Sequence, residues 1–230
     1  MLWMLLSCVI NYQEDGNLKR ISVEQTQAVR HYNYNKAVSS SLKILSFNFM
    51  FEDNGHGSGN YFKIGKHRFI LTAAHLVSSD TFQYVQDGLE LVKLELVHLD
   101  VDRDIAIMVP IQELKNTTAV NYVINEKEDI LGLSIIHAGY PSTLEKSVFN
   151  GMVSRCSLDF FVMQSLALPG SSGSVVFDNG GRIVGVVSAV KLEMHPHSPF
   201  PELQETLVFV SRTNQYKREK VKGILEKWKG

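Results

Sequence analysis

The chain has 230 residues, 44% hydrophobic and 20% charged, with 23 Lys and Arg against 24 Asp and Glu, a formal net charge of -1. That length holds a sizeable core in one large domain or two small ones, and the composition is that of an ordinary soluble globular protein. So near-neutral a balance gives no ground for a nucleic-acid or anionic-membrane partner.

The opening stretch "MLWMLLSCVI" is apolar but too short to span a bilayer. It also lacks the basic start and small-residue cleavage site of a secretory signal, so a buried strand or helix edge fits it better. "LLSC" loosely resembles a bacterial lipidation site without the longer apolar run that such sites need. Residues 1–36 are polar with scattered apolar positions and read as an N-terminal extension with some helix, a segment through which the chain could oligomerise.

From Ala37 the character changes. "LKILSFNFMF", "YFKIG", "HRFILTAA" and "IAIMVPI" are short runs rich in Ile, Leu, Val and Phe, separated by Gly, Asn and Asp, and they predict strands. Leu89 to Leu99 alternates Leu and Val with Glu, Lys and His, the period of a half-buried strand. The linker "ELKNTTAVNYVINEKED" divides a first half, 37–118, from a second, 119–212, in which "ILGLSIIHAGYP", "KSVFNGMVSRCS", "FFVMQS" and "TLVFVSR" repeat the style. "FDNGGRIV" predicts a tight hairpin with Asn179-Gly180 supplying the positive φ angles.

Residues 213–230 read as a helix. Val221, Ile224, Leu225 and Trp228 form one apolar stripe, with Thr213 or Asn214 as N-cap and the tail's Lys and Arg on a solvated face. Many short strands in two halves indicate an all-β pair of barrels or a sandwich. Two cysteines, Cys8 and Cys156, are too few for a disulfide scaffold and fit a reducing compartment, which tilts the expectation towards the cytoplasm. "NTT" at Asn116 matches a glycosylation acceptor that matters only in a secreted chain.

Three short motifs carry chemistry. "ILTAAHLV" places His75 after a strand and a small-residue turn, and "DRDIAIMV" places Asp104 at the head of an apolar strand. "PGSSGSVVF" supplies Ser172 between glycines that let backbone approach a ligand. Each is weak alone, since lone histidines, strand-head aspartates and Ser/Gly turns are commonly structural. Together they stand in the order His, Asp, Ser, separated by 29 and 68 residues. Acyl transfer by serine needs this set: a nucleophile, a base, and a group to orient the base. The order differs from those of subtilisin-like and α/β-hydrolase enzymes.

On these motifs the chain resembles the trypsin-like superfamily: "TAAH" is similar to its histidine motif, "DIAI" to its aspartate motif, and "GSSGS" takes the place of "GDSGG". The likeness is nearer to the high-temperature-requirement (HtrA/Deg-type) proteases. "GHGSGNYFKIGKHRFILTAAHLV", "AGYP" followed by "SVFNGMVS", "LPGSSGS" and the closing "VFVSRTNQYKREKVKGILEKW" each have a counterpart there, over about Ser41 to Trp228. The resemblance implies two packed six-stranded antiparallel β-barrels with a C-terminal helix, no cofactor, and a polypeptide substrate. It implies Ser172 as nucleophile, His75 as general base, Asp104 as its orienting partner, and the N–H groups of Gly170 and Ser172 as oxyanion hole. Ser188 matches a serine that borders the substrate cleft and often bonds the aspartate.

The departures from the pattern shape further expectations. Ser171 stands where a zymogen's salt-bridging aspartate would be, and no "IVGG" precedes the barrel, so activation by that salt bridge is not expected. Ser174 replaces the second glycine of the motif. No peptide-binding domain follows the terminal helix, so control through one is not expected. Leu166, Ala167 and Leu168 offer no acid to the substrate pocket and Val190 narrows it, which predicts cleavage after small or medium apolar residues. Such a pocket could take Gln only through His195 or His197, which read as a solvated loop and are too isolated for a metal site. A catalytically inactive binding or scaffold module on the same fold stays open as the alternative.

Overall fold

A computed structural model describes residues 10–14, 17–21, 34–77, 80–142, 144–194 and 201–228. Strands β1 (Ile10–Glu14) and β2 (Asn17–Ile21) form a separate two-stranded hairpin, so this part of the N-terminal extension is strand where some helix was expected. Helix is found at its end instead, in α1, residues 34–40, which buries Ala37.

The first sheet comprises β3 (Ser41–Asn48), β4 (Asp53–Ile64), β5 (His67–Thr72), β6 (Thr81–Asp87), β7 (Glu90–Asp100), β8 (Ile105–Pro110) and, from just past the first half, the short β9 (Val120–Asn121). The first six run in the order β3-β6-β7-β8-β5-β4 and close through β3–β4, giving an antiparallel six-stranded barrel. β9 joins β4 in parallel. The second half builds β10 (Ser134–Gly139), β11 (Ser147–Cys156), β12 (Phe160–Gln164), β13 (Val175–Asp178), β14 (Ile183–Met194) and β15 (Pro201–Arg212), a closed barrel in the order β10-β11-β12-β15-β14-β13. The architecture is two barrels, not a sandwich.

Burial explains why some strands read as continuous apolar runs. In β5, Phe69 and Leu71 face a cluster between the barrels, while Ile70 faces the first barrel's own interior. β8 divides Ile105 and Ile107 from Met108 in the same way. In β13, Val175 and Phe177 face the junction and Val176 the second barrel's interior. A strand buried on both faces has no polar side to alternate with. At the junction the rings of Phe62, Phe69, Tyr122 and Phe177 pack with centroids 5.4–6.2 Å apart.

Two turn predictions need correction. The β13–β14 turn puts its positive φ on Gly181 (69°) rather than on Asn179 or Gly180. Asp178 N–H bonds Arg182 O and Gly181 N–H bonds Asp178 O, so the connection is one residue longer than a two-residue hairpin and needs only one left-handed position. The C-terminal helix α2 (Arg218–Lys227) begins at Lys217, without a side-chain cap. Thr213 and Asn214 lie earlier, in a turn closed by Tyr216 N–H on Thr213 O. α2 buries Val221 and Leu225 against the junction, as the stripe predicts.

Candidate active site

β5 ends at Thr72, and the buried Ala73 and Ala74 lead into a short 3-10 turn, Ala74–Leu76, that carries His75. Asp104 closes the β7–β8 turn, its N–H on Val101 O, with a left-handed φ of 50°. Aspartate tolerates that region better than most residues because its short polar side chain bonds locally. Asp100 steadies the same turn by accepting Arg103 N–H at 3.1 Å.

His75 and Asp104, 29 residues apart, meet directly. His75 Nδ1 lies 2.8 Å from Asp104 Oδ2 and 3.0 Å from Oδ1, and the His75 backbone N–H donates to Oδ1 at 2.8 Å. From the second barrel, Ser188 Oγ donates to Asp104 Oδ2. Burial alone would push the Asp104 carboxyl up, but the hydrogen bonds from His75 and Ser188 outweigh it and hold the group below the usual carboxylate range. An ionised Asp104 accepts a proton-bearing Nδ1, which leaves Nε2 with a free lone pair.

Ser172 follows a turn that its sequence dictates. Leu168-Pro169-Gly170-Ser171 closes through Ser171 N–H on Leu168 O at 2.9 Å, with Gly170 at φ 92°. Proline second and a positive-φ glycine third define a type II turn. A Cβ on Gly170 would also lie 2.5 Å from Tyr140 O and 2.6 Å from His56 Nε2. Ser171 closes the turn a second time: it is buried, and its Oγ accepts Leu168 N–H at 3.2 Å.

Neither Gly170 N–H nor Ser172 N–H has a partner among the described residues. Their peptides' carbonyls are engaged on the opposite sides, Pro169 O by Ser142 N–H and Ser171 O by Ser174 N–H. Because a trans peptide directs C=O and N–H oppositely, both free donors point away from those anchors. Ser172 Oγ itself donates to Ser188 O at 3.3 Å, and no hydrogen bond joins it to His75.

Beside His75 a cleft of about 600 Å3 is lined by Ala74, Val77, Leu99, Val101, Asp104 and Ser188. Its walls are largely apolar. Of the expected pocket residues, Leu166 is 38% exposed just ahead of the Ser172 turn. Val190 lies in β14 paired with Val208, but its side chain falls outside the described set, as do His195, His197 and Cys8. Sequence reasoning missed Ser58, His56 and Tyr140, which surround the Gly170 turn. The glycines in "GHGSGN" were the available signal, since they mark close backbone packing: a Cβ on Gly59 would lie 2.8 Å from Ile44 Cδ1.

Two antiparallel six-stranded barrels with a His-Asp pair on one and a Gly/Ser turn on the other define a chymotrypsin-like fold. Residues 57–186, more than half of the chain, match the family model of the trypsin-like peptidase domain, and the chain belongs to that family. Among solved structures it is similar to the serine endoprotease from Yersinia pestis, with a TM-score of 0.66 and 18% identity, over 86% of this chain and 67% of that one. A comparison with curated proteins returned no match. Among the described residues no helix is long and apolar enough to cross a membrane, and no group of three or more His, Cys, Asp or Glu side chains is placed to hold a metal ion.

Proposed function

We propose that the protein is a serine endopeptidase of HtrA-like type working through His75, Asp104 and Ser172. The observation that carries this reading is the His75 Nδ1–Asp104 contact at 2.8 Å, completed by Ser188, opposite a turn with two N–H donors unpaired among the described residues. Ser172 Oγ adds to the carbonyl carbon of the substrate peptide while its proton passes to His75 Nε2. Asp104 keeps Nδ1 protonated and stabilises the imidazolium that forms. The carbonyl oxygen, now anionic, takes the N–H donors of Gly170 and Ser172, each worth roughly 100- to 1,000-fold in rate. His75 then protonates the departing amine, and a water deprotonated by His75 releases the acyl group from Ser172. The apolar cleft beside His75 and the acid-free Leu166–Leu168 segment favour small or medium apolar residues on the acyl side.

A second reading, a binding module without turnover, draws on the Ser172 Oγ bond to Ser188 O in place of His75. At 3.3 Å that bond is long for a hydroxyl donor, and a rotation about one side-chain bond frees it. Fluorophosphonate labelling decides between the two. Wild-type protein should be labelled on Ser172 and should cut an apolar peptide library, and Ser172→Ala should do neither. Unlabelled wild type that cuts no peptide between about pH 6 and 9 refutes the enzyme.

A further inference from the structure

Ser58, in the middle of β4, is fully buried, and every polar atom it has is committed. Its N–H donates to Ser172 O at 2.7 Å, and its carbonyl accepts from Thr72 Oγ1 at 2.7 Å. Its hydroxyl donates to Gly170 O at 2.7 Å and accepts Tyr140 N–H at 2.9 Å. One residue of the first barrel thus holds carbonyls on both sides of the Ser171–Ser172 step in the second.

We propose that the Ser58 hydroxyl is a positioning group for the oxyanion turn, fixing through the Gly170 carbonyl the Gly170–Ser171 peptide that lies between the two donor-bearing peptides. Gly170 lacks a Cβ and sits at φ 92°, so the peptide planes on either side of it rotate with little steric resistance. Each plane therefore depends on external anchors. The Pro169–Gly170 plane is tied by Ser142 N–H on Pro169 O, and the Gly170–Ser171 plane by Ser58 Oγ on Gly170 O and Leu168 O on Ser171 N–H. The hydroxyl proton has one productive direction, because Gly170 O can only accept and Tyr140 N–H can only donate. A serine that merely filled the barrel junction would need neither bond to the turn.

The inference rests on the peptidase reading and is tested by Ser58→Ala and Ser58→Thr. Readouts are kcat and KM on an apolar peptide, the affinity of a peptide aldehyde whose adduct with Ser172 carries an oxyanion, and the affinity of the matching peptide acid. Ser58→Ala should lower kcat by about 10- to 100-fold, less than outright loss of an oxyanion donor. KM and peptide-acid affinity should stay within about twofold, while aldehyde affinity falls with kcat/KM as expected for a transition-state interaction. Ser58→Thr, which keeps the hydroxyl, should recover most of the loss. Should Ser58→Ala fail to fold, Ser58→Cys, with similar volume and only a weak S–H donor, carries the same comparison. A kcat within twofold of wild type, or a fall in kcat with aldehyde affinity unchanged, overturns the positioning role. Wild type that cuts nothing and takes no fluorophosphonate overturns the peptidase reading instead.

Discussion

His137 should make this protein acid-labile in a pH window that one substitution removes. The side chain lies in β10, fully buried, its ring 5.3 Å from that of Phe149. Nε2 meets Ser165 Oγ at 3.2 Å, and because Ser165 donates its own proton to Asn150 O, the imidazole must be the donor at Nε2. Nδ1 makes no hydrogen bond of good geometry among the described residues. Burial pushes the pKa down from 6.5 to about 4, with the Leu166 backbone pulling the other way. The sign follows. Below 6.5 the unfolded chain binds a proton that the folded one refuses, so stability is fully present above 6.5 and is lost as pH falls towards about 4. At roughly 1.4 kcal/mol per pH decade the loss reaches about 3 kcal/mol, most of it by about pH 4.5. Urea unfolding of wild type and His137→Gln at several values from about pH 7 to 4.5 reads the difference, because carboxylates common to both cancel. Parallel stability curves for the two proteins would show that the buried imidazole is not the acid-sensitive group.

Two further substitutions test the packing around the site. Ser174 is fully buried, its Oγ has no partner among the described residues, and it fits because Gly139 leaves its own side-chain space empty. Ser174→Ala removes a desolvated hydroxyl without opening a cavity, so urea unfolding should show a gain of about 1 kcal/mol; a loss of that size would mean that the oxygen is satisfied after all. Tyr216 donates to Asp100 Oδ2 at 2.6 Å, and Asp100 holds the turn that presents Asp104. Tyr216→Phe should cost about 2 kcal/mol at pH 7 and lower kcat more than it raises KM. Burial would raise the Asp100 carboxyl, but the bonds from Tyr216 and Arg103 hold it below 3.8, so the cost should shrink as pH falls through that region. An equal cost at pH 7 and at pH 3 contradicts the assignment.

His75, Asp104 and Ser172 were legible because each lies beside a strand buried on both faces: β5 before His75, β8 after Asp104, β13 after Ser172. Such strands read as unbroken apolar runs, and a polar residue at the end of one stands out. The turn before Ser172 was read only as a Ser/Gly turn, although Pro169-Gly170 carries the type II geometry by itself. Ser58 was not. A serine between two glycines within a strand signals only close packing, and its bonds to Gly170 O and Tyr140 N–H arise from the docking of two barrels separated by more than 80 residues of chain. The start of α2 was misplaced for a similar reason. Lys217 does not cap in isolation, and the helix begins where Val221 and Leu225 reach the junction.

The site therefore depends on how the barrels meet, and two kinds of force divide that task. Phe62, Phe69 and Phe177 are fully buried in the junction cluster. At about 25 cal/mol per Å2 and 150–250 Å2 per ring, each supplies roughly 4–6 kcal/mol of burial. The cross-barrel hydrogen bonds at the site, Ser188 to Asp104 and Ser58 to Ser172 and Gly170, contribute about 1 kcal/mol each in net terms, more where the carboxylate takes part. The apolar junction thus holds the barrels together, and the hydrogen bonds fix the angle at which Asp104 and the Gly170 turn face each other. A truncation such as Phe177→Ala should act mainly on stability, whereas loss of the Ser188 or Ser58 hydroxyl should act mainly on turnover.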